Sequence, residues 1–361
     1  QGEGHMGLVE LQQVELDAWV TALIARIRVS GPQARGKAFA FDRLSRVGDL
    51  RLDHDVAVTP PKQYFLPPRE ALLRYEGSRW ESRLDETPFV LFGVHPYDVA
   101  AIAQLDRLFA EGRPDAHYLA RRGAATIVAC DVQRVSADCF AGCMGTAVCT
   151  DGFDALLTKV DDRYVLDVRT EKGRALAEGL PAQRPAGRQA LLGRLHVWHE
   201  NRRAMRRHEL TVAPEDLPAL LALHYEHPVW AERAARCFSC GSCNLVCPTC
   251  YCFDVRDAPD WDVRVGSRYR AWDGCMLADF ATVAGGHNFR AEPAARFRHR
   301  YLRKGLYIPE KIGQVGCVGC GRCISACVAR IANPVEVFNR LSEEHVCPAP
   351  AENSATSTSR R

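Results

Sequence analysis

The chain has 361 residues, of which 47% are hydrophobic and 25% charged, with a formal net charge of +3. These are the proportions of a soluble globular protein with room for two modest cores, and so small a net charge gives no argument for nucleic-acid binding. No apolar run approaches the roughly 20 residues that cross a bilayer, so no membrane contact and a cytoplasmic location are expected.

Residues 1–5, "QGEGH", read as a tag remnant ahead of Met6 and are set aside. Residues 8–29, "LVELQQVELDAWVTALIARIRV", have apolar positions at three- and four-residue spacing and predict an amphipathic helix. "KAFAFDRL" predicts a strand. In "TPPKQYFLPPREALLRY" the prolines predict a turn, with Pro67 and Pro68 suited to the entry of a helix. The apolar run "PFVLFGV" (88–94) predicts a buried strand, "HPYDVAAIAQLDRLFA" a helix, and "TIVAC" (126–130) a second buried strand. Strand, helix, strand is a βαβ pattern, so residues 6–185 are expected to form an α/β domain. Residues 186–235 predict a mostly helical connector, and 341–361 a polar, disordered tail.

Between connector and tail lies the cysteine-rich part. Sixteen cysteines in a chain of this length with no signal pattern argue for metal rather than disulfides. "CFSCGSCNLVCPTCYCFD" (237–254) holds Cys237, Cys240, Cys243 and Cys247, and "CVGCGRCISAC" holds Cys317, Cys320, Cys323 and Cys327. Both have the C-x2-C-x2-C-x3-C spacing of bacterial ferredoxins, in which the fourth cysteine ligates the other cluster. Crossed ligation then gives one 4Fe–4S cluster on Cys237, Cys240, Cys243 and Cys327, and a second on Cys317, Cys320, Cys323 and Cys247. Zinc would more commonly show paired C-x2-C elements. Val328 stands where ferredoxins usually carry proline. The fold class expected is α+β, with the double 4Fe–4S ferredoxin-like domain at 236–340.

Seven further cysteines are candidates for an extra metal site. Cys130, Cys139, Cys143 and Cys149 fall within 20 residues of the N-terminal domain, and Cys250, Cys252 and Cys275 lie in or beside the motifs' 69-residue separation. Small buried side chains are the competing reading for both groups. No G-x-G-x-x-G or P-loop is present to hold a nicotinamide or nucleotide. The stretches "HVWHENRRAMRRHEL" and "FRHRYLRK" are basic, with aromatics interleaved; a solvated helix face or a docking face would each explain them.

The stretch "CFSCGSCNLVCPTCYCFD … RYRAWDGCMLADFATVAGGHNFR … RFRHRYLRKG … GCVGCGRCISAC", with "VLFGVHPYDVAAIAQLDRLF" and "DAHYLARRGAATIVACD" before it, resembles the beta (iron–sulfur) subunits of cytosolic nickel–iron sulfhydrogenases. It equally resembles the corresponding iron–sulfur subunits of anaerobic sulfite reductases. The resemblance covers about residues 36–340. It implies an electron-transfer subunit that catalyses nothing alone and relays electrons between the hydrogenase small and large subunits and a flavin- and nicotinamide-binding subunit. The alternatives are the same relay for a sulfite reductase catalytic subunit, or a stand-alone iron–sulfur oxidoreductase with a substrate or flavin site in the N-terminal domain. The family pattern also implies Cys-Phe-Cys where this chain reads "CFAGC", which puts Ala141 at the second cysteine.

Overall fold

A computed structural model describes residues 8–182 and 184–346, leaving out the side chains of 345 and 346. The tag remnant, Cys347 and the tail from 347 onward lie outside the described residues. The chain opens with β1 (Val9–Gln12), α1 (Gln13–Arg26), β2 (Arg28–Arg35) and β3 (Ala38–Arg43), followed by a hairpin of β4 (Arg69–Glu76) and β5 (Arg79–Ser82). Next come β6 (Phe89–Val94), α2 (Pro96–Ala110), α3 (Ala116–Ala124) and β7 (Ala125–Cys130), then β8 (Ala155–Val160), β9 (Arg163–Val168), α4 (Glu171–Ala177) and β10 (Arg184–Pro185). The helices α5 (Arg188–Ala204), α6 (Leu217–Leu223), α7 (Val229–Ala234) and α8 (Ser242–Leu245) lead to a second hairpin, β11 (Phe253–Pro259) and β12 (Val265–Trp272). The last elements are α9 (Pro293–Leu302), a π-helical turn at Arg303–Tyr307, α10 (Ile308–Ile312), α11 (Arg322–Ser325) and α12 (Pro334–Val346).

Eight strands form one sheet in the order β10-β1-β9-β8-β7-β6-β2-β3. Its centre, β2, β6, β7 and β8, is parallel. Every residue of β6 and β7 is buried, as expected of parallel strands covered on both faces. One face packs Trp19 and Val20 of α1 against Val90, Phe92 and Val128; the other packs Ile102 and Leu105 of α2 against Leu91 and Ile127. The α/β reading of this half is thus realised, inside the mixed helix-and-sheet class expected of the whole chain.

Three local expectations need correction. The helix predicted over 8–29 is confined to α1. Val9 and Leu11 alternate with Glu10 and Gln12 and pair antiparallel with β9 as a strand, and the Gln12 N–H donates to Glu15 Oε2 at 2.8 Å to start the helix. The helix expected after Pro67–Pro68 is β4, whose Glu, Ala, Leu and Arg residues favour helix locally but pair with β12 instead. Buried Glu70 fixes that pairing by accepting from Arg270 Nε at 2.6 Å. The third correction concerns the tail: the chain stays helical past 340, because Val337, Phe338 and Leu341 of α12 fill the C-terminal core.

The long separation between the motifs also has a structural account. Its hairpin, β11–β12, joins β4–β5 in a four-stranded sheet, order β11-β12-β4-β5. The insertion therefore belongs to the N-terminal half as much as to the ferredoxin-like part. The 186–235 segment is helical but divides its packing. On α5, Arg194 bonds Asp167 of β9 and Trp198 bonds Asp131 just after β7, each at 2.8 Å, whereas Leu217, Leu221 and Trp230 enter the C-terminal core.

Candidate iron–sulfur site

Each residue of the second motif sits 80 positions after its counterpart, and the backbone repeats with it. Gly241 (φ +72°) caps α8, and Gly321 (φ +79°) caps α11. Asn244 N–H donates to Gly241 O at 2.8 Å and Ile324 N–H to Gly321 O at 2.9 Å. Both glycines hold a left-handed conformation that costs other residues about 1–2 kcal/mol. Their surroundings differ. A Cβ on Gly241 would lie 2.8 Å from Leu277 Cδ2, a movable side-chain end, but on Gly321 it would lie 2.3 Å from the Asp138 carbonyl oxygen. Gly321→Ala is therefore expected to lower the apparent melting temperature well beyond Gly241→Ala, by a further 1–3 kcal/mol or so of overpacking, in paired thermal unfolding runs.

After the third cysteine each short helix carries the chain across to the other cavity. One cavity is lined by Cys237, Cys240, Cys243 and Cys327. The other is lined by Cys317, Cys320, Cys323 and Cys247. Each space thus gathers three thiols of one motif and the fourth of the other. Helix α8, which carries Cys243 of the first cavity, packs on α11, which carries Cys323 of the second, so the cavities are neighbours.

The donor sets fit four-iron clusters. In the first cavity Ser239 N–H points at Cys237 Sγ and Ile331 N–H at Cys327 Sγ, each at 3.4 Å, and Ser242 Oγ lies 3.3 Å from Cys240 Sγ. In the second, Thr249 Oγ1 lies 3.3 Å from Cys247 Sγ and accepts from Lys304 Nζ at 2.7 Å. Hydrogen bonds to sulfur stabilise an anionic cluster. Burial pushes the Cys320 and Cys323 thiols up to about 12, so iron must displace their protons on binding. Cys247 goes the other way: a hydrogen bond from the Cys250 thiol, aided by the Lys304 charge, holds it well below the usual thiol range.

Exposure separates the two cavities. Cys240 is exposed, flanked by Phe238 at 71% and Val328 at 81% exposure, whereas Cys247, Cys320 and Cys323 are buried. Val328, where ferredoxins usually carry proline, is exposed at the cavity's rim, and the turn there is closed by Arg330 N–H donating to Cys327 O at 3.0 Å.

The extra cysteines are not gathered in the same way. Cys130, Cys139, Cys143 and Cys149 pack in or against four different apolar cores. Among the described residues, no three Cys, His, Asp or Glu side chains are placed to share a single metal ion. The loop that holds Cys139 and Cys143 seats instead on the second motif: Phe140 N–H donates to Gly319 O at 2.7 Å, and its ring lines the second cavity. Cys250 and Cys275 both face Asn244, whose Nδ2 lies 3.6 Å and 3.4 Å from their sulfurs. Cys252 is half-buried in the same neighbourhood, its carbonyl accepting from Asp273 N–H at 3.1 Å.

Several residues of the site were not singled out in the sequence. Arg322, next to Cys323, makes a buried two-pronged ion pair with Asp98 of α2 at 2.6 and 2.7 Å and donates to Ala57 O at 2.7 Å. Arg300 and Lys304, within the stretch read as a basic stripe, and Arg296 just before it are buried. Their four-residue spacing was the available signal, since it places all three on one helix face.

A family model, "4Fe-4S dicluster domain", matches residues 236–331. The sulfhydrogenase 2 subunit beta of Pyrococcus furiosus is 34% identical over 319 residues, which cover 88% of this chain and 92% of the relative. No helix among the described residues is long and apolar enough to cross a membrane. With its ferredoxin-type motifs, this chain is an iron–sulfur electron-transfer subunit, and it belongs to the sulfhydrogenase beta-subunit family.

Proposed function

We propose that the chain carries two 4Fe–4S clusters and relays electrons, within a soluble nickel–iron hydrogenase complex, between the hydrogenase small and large subunits and a flavin- and nicotinamide-binding subunit. The observation that carries this reading is the pair of neighbouring four-thiol cavities, one reaching the surface at Cys240 and one with Cys247, Cys320 and Cys323 buried. Cys237, Cys240, Cys243 and Cys327 hold the outer cluster; Cys317, Cys320, Cys323 and Cys247 hold the inner one.

Bound clusters supply a site that takes up or gives back one electron without breaking a bond. The protein's own part is to orient, insulate and dock. Phe238 and Val328 present an apolar rim around Cys240, where a partner's cofactor can approach with little water between. Phe140 and Pro334 close the inner cavity, and the Arg322–Asp98 pair clamps it to α2.

The test is purification of the complex from its native host, with metal analysis and activity of both complex and isolated chain. Co-purification with a nickel subunit, about eight irons on this chain, and no hydrogen turnover by the chain alone are expected. Sulfite-dependent oxidation of nicotinamide by the complex, with no nickel present, would transfer the relay to a sulfite reductase. Zinc in place of iron, or hydrogen turnover by the isolated chain, would overturn the reading.

A further inference from the structure

The two cavities are built on one backbone plan but differ in charge. Among the described residues no charged side chain lines the first, whose walls beyond its cysteines include Phe238, Met276, Phe297, Val328 and Ile331. Arg300 and Lys304 line the second. Behind its ligand Cys247, Lys62 donates to Cys250 O at 2.6 Å and stacks over the Trp272 ring at 4.3 Å. All three cations are almost fully buried, at 3% exposure for Lys62, 1% for Arg300 and 5% for Lys304.

None of the three has a carboxylate within 4.0 Å among the described residues. Asp98, which lies near the second motif, is already held by Arg322. Lys304 Nζ reaches only Thr249 Oγ1 and the Gly316 carbonyl, at 2.7 and 2.9 Å. Arg300 Nη2 donates to Cys243 O at 3.2 Å, while its Nε and Nη1 have no hydrogen-bond partner. A buried cation without a counter-ion is strongly destabilising, and here three stand together. Arg300 and Lys304 line the second cavity and Lys62 lies behind its ligand Cys247, so an anion held there, as a thiolate-bound 4Fe–4S cluster is, would balance them.

The helix that delivers two of these cations is shaped for the task. Arg300 and Lys304 are four residues apart and so share a face, and Lys304 falls in the π-helical turn Arg303–Tyr307. Such turns are rare and concentrate at functional sites. Arg296, one turn earlier, donates to Ser239 Oγ at 3.0 Å behind the first motif without lining its cavity.

We infer that Lys62, Arg300 and Lys304 form a cationic cage that raises the reduction potential of the cluster held by Cys247, Cys317, Cys320 and Cys323, so that an electron entering at Cys240 settles there. This rests on the proposed relay. The cage acts by charge alone: one electron arrives from the neighbouring iron–sulfur centre, the added negative charge is stabilised by three fixed positive ones, and no proton or bond has to move. Whole buried charges outweigh the hydroxyl and amide dipoles that serve the first cavity.

The experiment is a redox titration of the intact protein followed by electron paramagnetic resonance, comparing wild type with Lys62→Met, Arg300→Met, Lys304→Met and the charge-conserving Lys304→Arg. In each methionine variant the inner-cluster midpoint is expected to fall by at least a tenfold change in electron occupancy, about 59 mV for one electron. The outer cluster should keep its midpoint in Lys62→Met and Lys304→Met, whereas Arg300→Met, whose guanidinium also donates to the Cys243 carbonyl, should move both; Lys304→Arg should stay close to wild type. Should Lys304→Met lose iron where Lys304→Arg keeps it, the charge requirement is shown by retention instead of potential. Equal shifts, or equal iron loss, in Lys304→Met and Lys304→Arg would overturn the cage, as would midpoints unmoved in all three methionine variants. A wild type with no clusters would sink the relay itself; two clusters with unmoved midpoints would sink only the cage.

Discussion

Serine in place of Cys247 is expected to extinguish the cluster held by Cys317, Cys320 and Cys323, which lie 70 or more residues further along the chain. The cluster at Cys237, Cys240 and Cys243, in Cys247's own motif, should survive. Iron should fall by about four atoms per chain, half the complement. The reason lies in α8: Cys243 at its second residue lines one cavity, while Cys247, just past its end, lines the other. Serine cannot repair the loss, because the position is buried and its neighbours Cys250, Thr249 and Lys304 are arranged around a thiolate. The check is spectroscopic. The reduced spectrum of Cys247→Ser should superimpose on that of Cys320→Ser, and Cys327→Ser on Cys240→Ser. If Cys247→Ser matches Cys240→Ser instead, ligation runs within motifs and the crossing is wrong.

The second large effect is expected at Asp98, far from any cysteine in sequence. Its carboxylate receives two bonds from Arg322 where the second motif meets α2, with side-chain exposures of 1% and 2%. Removing one partner of a buried pair leaves an uncompensated charge and costs about 3–5 kcal/mol. Asp98→Ala should therefore lower the apparent melting temperature by on the order of 10 °C and loosen the inner cluster, since Arg322 directly precedes Cys323. The double variant Asp98→Leu, Arg322→Met removes both charges and should recover most of that loss. Thermal unfolding and iron retention on dilution report the two effects separately. A single variant as stable as wild type would show that the pair does not clamp the halves together.

Motif spacing predicts where each loop places three sulfurs, because ferredoxin loops are local: a few residues and one left-handed glycine suffice. The buried strands β6 and β7 were equally plain, being short apolar runs bounded by turn residues. Long-range pairing was not readable. Nothing within "REALLRYE" reveals that its partner is β12, nearly 200 residues on, and its helix-favouring residues point the wrong way. The same limit applied to charge. In sequence Arg296, Arg300 and Lys304 resemble any basic helix face, and only packing against both motifs shows that this face is interior. Likewise cysteines mark the "CFAGC" loop in sequence, yet it seats on the second motif through Phe140 and backbone as well as through Cys139, which packs with Val318 and Cys320.

The most direct measurement is electron paramagnetic resonance of the fully reduced chain, with spins counted against iron. Two magnetically interacting 4Fe–4S signals, about one spin each on about eight irons, are predicted from the two adjoining four-thiol cavities. A silent spectrum from a folded protein with zinc in the cysteine sites would contradict the account, and so would a single cluster bound by thiols from one motif alone.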